Sequence, residues 1–251
     1  MPSMPGMSWK PLVAVAAGAA AVLVMLMLLV KEEEEEESGQ KQDQKKVLHE
    51  ILKELVDVED CAKRAVDAMV KEQMDGKELA FDEAYERVAK LDLYDPLEKR
   101  RMGVQEFEAM AMSGQDDPFV MEQMARLSGG AALETGRVQH LDVPKIIELK
   151  GFAVDELARE VMEFMKKPGA SQKDFKNVTI ALKALVHAKV EKTHGVSAED
   201  VEAACMMRQG ELFTNQAFLE VIRKQQQTMQ LLVSSTMSQM SQPADPGGDL
   251  D

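Results

Sequence analysis

Residues 12–30 read LVAVAAGAAAVLVMLMLLV, with nothing more polar than Gly18 among them. Lys10 and Lys31 bracket the segment 11–30. A helix of that length spans about 30 Å at 1.5 Å per residue, the thickness of a bilayer's hydrocarbon core. Trp9 stands where an interfacial anchor belongs. A cleaved signal peptide is the competing reading, but its apolar region is about 7–15 residues long and ends in small residues. This run is longer and ends in Met27, Leu28, Leu29 and Val30, followed by Lys31 and six Glu at 32–37. Few Arg and no Ser-rich amphipathic run argue against a transit peptide. The expectation is a signal-anchor: a short tail over 1–10, then an uncleaved single-pass transmembrane helix over 11–30.

Orientation follows from Lys and Arg, because acids carry little weight in topology. Lys31, Lys41, Lys45 and Lys46 make the C-terminal flank the more positive, so the body is expected on the cytosolic or matrix side. Asn177-Val178-Thr179 matches a glycosylation acceptor but falls inside a predicted helix, where a chance match is the simpler account. Within the span, Ala14, Gly18 and Ala21 share one face at i, i+4 and i+7. Small residues let helix backbones approach in lipid and would support helix packing or a helix-mediated oligomer. Alanine merely tolerated in lipid gives the same pattern.

Residues 31–46 form an acidic polar linker: six Glu, Ser38-Gly39 and a Gln/Lys run that buries nothing. From 47 onward the pattern is helical throughout. Leu48, Ile51, Leu52, Leu55, Val58, Ala62, Ala65, Val66 and Met69 recur at spacings of three and four, the stripe of a long helix over about 44–74. Asp75-Gly76 breaks it. A short helix is expected at 82–91, with Asp82 as N-cap and Tyr85, Val88 and Ala89 turned inward. Asp95-Pro96 and Asp117-Pro118 each set a capping carboxylate before a proline, opening helices at about 96–113 and 118–128. Residues 129–141 read as a loop between two helical subdomains, 47–128 and 142–240.

Asp142 and Pro144 introduce a helix at 144–150, closed by Gly151. Another at 153–167 is stopped by Pro168-Gly169. Ser171 and Asp174 cap a helix running to 194, and Ser197 with Asp200 repeats the arrangement for 198–209. Thr214 opens the last helix. Its residues Phe218, Ile222, Gln225, Met229 and Leu232 recur at spacings of 4, 3, 4 and 3, a short coiled-coil-like seam and the candidate partner-binding face. The tail 242–251 is expected to be disordered. The fold class is all-α: a transmembrane helix followed by a multi-helix bundle or irregular helical array. Aromatic residues make up only 4% of the chain, and no alternating run competes for strand.

Enzyme motifs are missing: no GxSxG elbow, P-loop or dinucleotide fingerprint occurs. Cys61 and Cys205 form no CxxC, and each lies beside an apolar stripe as a small hydrophobe would. His187, Glu191 and His194 share one helix face and could ligate a metal. Phe175, Val178, Leu182 and Leu185 face the other way, so the trio is expected on the solvent side. DGKELAFDEA at 75–84 is similar to the second half of an EF-hand loop, yet Lys71 and Gln73 stand where oxygen ligands belong and Glu83 falls one residue late. No catalytic, cofactor or metal residue is assigned. The 19 Met suit either a helical core or an adaptable binding groove; Met121 and Met124, and Met162 and Met165, are spaced as core residues. With 30 Lys and Arg against 44 Asp and Glu, the net charge of −14 disfavours nucleic acid as a partner.

The expected function is a methionine-rich, membrane-anchored interaction protein: a non-catalytic adaptor or accessory subunit whose partners are the bilayer and proteins of a membrane assembly. The alternatives are an enzyme with a carboxylate site formed only in three dimensions, and a calcium- or metal-responsive regulator using 75–84. Protease added to the cytosolic face of sealed membranes is expected to digest the body. Protection of the body, or a glycan on Asn177, would place it on the opposite side.

Overall fold

The stripe that begins at Leu48 is buried along one helix: Leu48, Ile51, Leu52, Val56, Ala62, Val66 and Met69 all face inward from α1 (Ser38–Met74). The computed structural model describes residues 38–91, 93–127 and 140–237, and its regular structure is entirely helical. After α1 come α2 (Phe81–Ala89), α3 (Pro96–Lys99), α4 (Val104–Ser113), α5 (Pro118–Leu127) and α6 (Val143–Met165). A 3₁₀ turn (Ala170–Gln172) leads into α7 (Phe175–His194), α8 (Ala198–Met207), α9 (Gln209–Leu212) and α10 (Gln216–Met237). The expected anchor 11–30 with Ala14, Gly18 and Ala21, the Glu run at 32–37, most of the loop 129–141 and the tail 242–251 lie outside the described residues. Among the described residues no helix is long and apolar enough to cross a membrane.

Three apolar clusters hold the helices. The first joins Val66 and Met69 of α1, Phe81, Ala84 and Val88 of α2, Val161 and Phe164 of α6, much of α7, and Leu232. It takes residues from both sides of the segment 129–141, so α1 and α2 share a core with α6, α7 and α10. The second packs Ile146 and Leu149 of α6 against Val201, Ala203, Ala204, Leu212 and Phe218. The third encloses Leu48, Ile51 and Leu52 with Phe107, Ala111, Val120 and Met124.

Several boundaries differ from expectation, each for a physical reason. Helix α1 starts at Ser38, so the second half of the predicted linker is helical. Its Gln and Lys residues are good helix formers, and Lys45 and His49 are tied to Asp117 at 3.0 and 2.6 Å. The helix expected at 96–113 is two, because Arg101 turns left-handed at φ 54°. The neighbouring Arg100 is clamped bidentately by Glu54 of α1, at 2.8 Å for each hydrogen bond. Asp82 is not the cap of α2, which follows Ala80 without a side-chain cap. Asp82 instead pairs with Lys167 and Lys173. On that helix Phe81, Ala84 and Val88 are buried, whereas Ala89 is exposed.

Gly151 does not stop a helix; α6 runs through it, supported by α10. Ser171 falls in the 3₁₀ turn, and Asp174 caps α7 by accepting from the Asn177 amide at 2.9 Å. Asn215 rather than Thr214 caps α10, accepting from the amides of Ala217 and Phe218. Helix α8 ends at Met207 and not 209, and Arg208 donates to the Leu141 carbonyl at 2.9 Å.

Two glycines separate the roles of space and backbone. A Cβ on Gly114 would stand 2.8 Å from Leu48 Cδ2, inside the third cluster. One on Gly151 would meet Val221 at an ordinary 3.9 Å within a helix. Gly114→Ala is therefore expected to destabilise the protein by about 1–3 kcal/mol through overpacking. Gly151→Ala should stabilise it by about 0.5–1 kcal/mol through helix propensity. Urea unfolding of the two variants checks both signs.

Candidate functional site

Positive φ at Gly195 (66°) ends α7 and turns the chain back; Ser197 then caps α8 by accepting from the Asp200 amide. That turn places the first residues of α8 beside the last turns of α1. A cleft of about 240 Å³ opens there, lined by Asp67, Val70, Lys71 and Met74 of α1, His187 and Glu191 of α7, and Ser197, Ala198 and Glu199. Lys63 spans α1 to α8, meeting Glu199 at 2.8 Å.

The electrostatics are uneven across the cleft. Burial, followed by the Glu199 carboxylate, pushes the Asp67 carboxyl above its ordinary pKa. Burial, with Lys183 nearby, pulls the His187 imidazole down to about 4. A carboxyl whose charged form is disfavoured by its neighbours and an imidazole held neutral thus lie side by side in the cleft. Next to His187, burial would raise Glu202, but Lys150 first, with Lys183, His187 and Lys63, outweighs it and holds the carboxyl below its usual range. Burial pushes the Cys205 thiol up, which disfavours its thiolate.

The trio His187, Glu191 and His194 does not share the expected solvent face. His187 and Glu191 line the cleft, while His194 turns toward α6, its ring edge-on to Phe152 at 4.7 Å. His194 Nε2 is buried with no hydrogen-bond partner among the described residues. Among those residues no three His, Cys, Asp or Glu side chains converge on a metal-sized point. In the segment 75–84, Glu83 is engaged by Lys77 and Arg87, and Asp82 by Lys167 and Lys173.

The seam on α10 meets this chain's own core. Phe218 and Ile222 belong to the second cluster, Met229 and Leu232 to the first, and Gln225 is half-buried. Val221 facing Gly151 and Lys224 pairing with Asp155 show that α10 runs parallel to α6. The methionines divide differently from their spacing. Met69 and Met124 are buried, but Met121 is 56% exposed, Met162 51% and Met207 52%.

Sequence reading missed the His49–Asp117 contact, which joins residues 68 apart with no motif spacing. Asp117 also caps α5 through the Phe119 amide at 2.9 Å and meets Lys45. These partners, Lys45 first, hold its carboxyl at about 2. Among the described residues His49 hydrogen-bonds no Ser, Thr or Cys, so the pair ties helices together and arms no nucleophile. No known protein family, curated protein or solved structure matches this chain.

His187 makes acid sensitivity testable. Its folded pKa of about 4 lies below the ordinary 6.5, so its contribution is complete above pH 6.5 and is lost as pH falls toward 4. Integrated over that window, the shift corresponds to at most about 3 kcal/mol. Replacing it as His187→Gln should flatten the pH dependence of unfolding between 6.5 and 4; an unchanged slope would assign the acid sensitivity elsewhere.

Proposed function

We propose that this protein is a single-pass, membrane-tethered helical interaction protein: a non-catalytic adaptor or accessory subunit whose body binds another protein of a membrane assembly. The observation that carries the reading is the placement of the methionines. Met74, Met112, Met121, Met162, Met165 and Met207 are all exposed, and among the described residues they make up six of the eleven exposed large hydrophobics. Methionine is flexible and polarizable, which suits surfaces that adapt to a partner rather than a single rigid core. The apolar run at 12–30 supports the tether, and the positive flank that follows it supports a body on the cytosolic or matrix side.

The test combines both halves of the proposal in native membranes. The full chain is expected to resist carbonate extraction, and a chain lacking residues 1–30 is expected to be released. Photo-crosslinking side chains introduced singly at Met121, Met162 and Met207 should give a discrete protein adduct from at least one site. A control at the polar Gln226 should give none. Adducts at no position, or equal adducts at Gln226, would overturn the interaction role.

A further inference from the structure

We propose that the exposed methionines of α5, α6 and α8 are sites of reversible oxidation, their thioethers taking one oxygen from a peroxide, and that this turns the binding surface from apolar to polar while the fold stays intact. The switch rests on the adaptor reading, because it acts on that same surface. The oxidation sites themselves need no partner.

Exposure sorts the thioethers into two classes. Met121, Met162 and Met207 are each about half exposed, whereas Met69 and Met124 are buried in the first and third clusters. Helix α5 holds both classes. Met121 and Met124 stand three residues apart, with only Glu122 and Gln123 between them, yet Met121 is 56% exposed and Met124 6%. On α6, Met162 and Met165 are both exposed and are neighbours at i and i+3. An oxygen added to a surface Sδ meets water and costs the fold little. The same oxygen on Met69 or Met124 would bring an S=O acceptor without a donor into an apolar cluster, which the packing opposes.

The step balances with hydrogen peroxide as the oxidant. A lone pair on Sδ attacks one peroxide oxygen, the O–O bond breaks, an S–O bond forms, and the second oxygen leaves as water with both protons. Sulfur is oxidised by two electrons and the peroxide is reduced by two. Sulfoxide reductases, one for each sulfoxide epimer, return the thioether at the expense of a thiol reductant. The sulfoxide is polar, so a surface made of flexible apolar side chains loses its fit to an apolar partner. The two cysteines are half-buried and form no disulfide, and burial disfavours the Cys205 thiolate through which a thiol would react. The exposed thioethers are therefore the sulfur that this fold presents most openly to an oxidant.

The first measurement treats the full chain in detergent micelles with hydrogen peroxide and follows each methionine by peptide mass spectrometry. Met121, Met162 and Met207 are expected to gain one oxygen first. Met69 and Met124 should follow at least about tenfold more slowly, since they react only when the fold opens. Helical circular dichroism and the melting temperature should be unchanged at the dose that oxidises the exposed set. Equal rates for Met121 and Met124, or unfolding at that dose, would overturn the proposal and leave the adaptor reading standing. The second measurement takes the photo-crosslinked adduct in native membranes, with the label at whichever methionine position yields it. Peroxide should cut that adduct about tenfold, and sulfoxide reductases of both epimer specificities should restore it. Leucine at the two unlabelled positions among Met121→Leu, Met162→Leu and Met207→Leu, together with Met165→Leu, keeps size and apolarity and should make the adduct indifferent to peroxide. Glutamine at the same positions should lower it without any oxidant. An adduct that survives peroxide in the unsubstituted chain, or that is lost equally from the leucine chain, would overturn the switch. No adduct from the reduced chain would overturn the adaptor reading and the switch together, while the oxidation order still decides the sites.

Discussion

Burial of α7 over most of its circumference is the constraint on which the rest of the fold depends. Val178, Ala181, Leu182, Ala184, Leu185, Val186, Ala188 and Val190 are all buried over about two-thirds of the helix's circumference, and the remaining face, with Lys176, Lys183, His187 and Glu191, is half-buried. Such a helix must be wrapped. Helices α1, α2 and α6 do the wrapping, and α8 closes over its C-terminal end. Alanine at 181, 184 and 188 lets these neighbours approach closely. His187 stands on that half-buried face between Lys183 and Glu191, where the walls given by α1 and α8 take most of the water from it.

Local chemistry was legible and tertiary chemistry was not. Asp95, Asp117, Asp142 and Ser197 cap helices as their sequence predicts, since a cap is a bond to an amide two or three residues away. Ser171 and Asp174 are both good caps, and nothing local chooses between them. The break at Arg101 depends on Glu54, far along the chain, and Gly151 stays helical because α10 lies against it. The α10 seam was visible as a period, but a period does not say whether the opposing helix belongs to the same chain. For the cleft one clue was available. Lys183, His187 and Glu191 recur at every fourth position as a polar stripe of α7, and only the packing of α1 and α8 shows that this stripe is half-covered.

Ion pairing shows what an acidic chain does with limited cations. Arg100 holds Glu54, Arg87 gathers Glu72 and Glu83, and Lys167 and Lys173 share Asp82. Through these contacts, led by the arginine hydrogen bonds, Glu54 and Glu72 are held at about 2. Exposed pairs of this kind contribute little singly, but Arg100–Glu54 and Arg87–Glu72 each tie a later segment to α1. The cations are not exhausted by these pairs: among the described residues Lys71 and Lys183 make no ion pair, although both stand near Asp67.

Helix α1 carries a mechanical consequence. It runs unbroken for 37 residues, about 55 Å at 1.5 Å per residue. Its first residue, Ser38, directly follows the Glu run, and Asp67 and Lys71 project from near its far end. The beginning of the rod is braced by Asp117 through Lys45 and His49. Because α1 packs along α7 and Lys63 ties it to Glu199 of α8, a load applied at Ser38 is taken up by the whole bundle and not by a hinge within the rod.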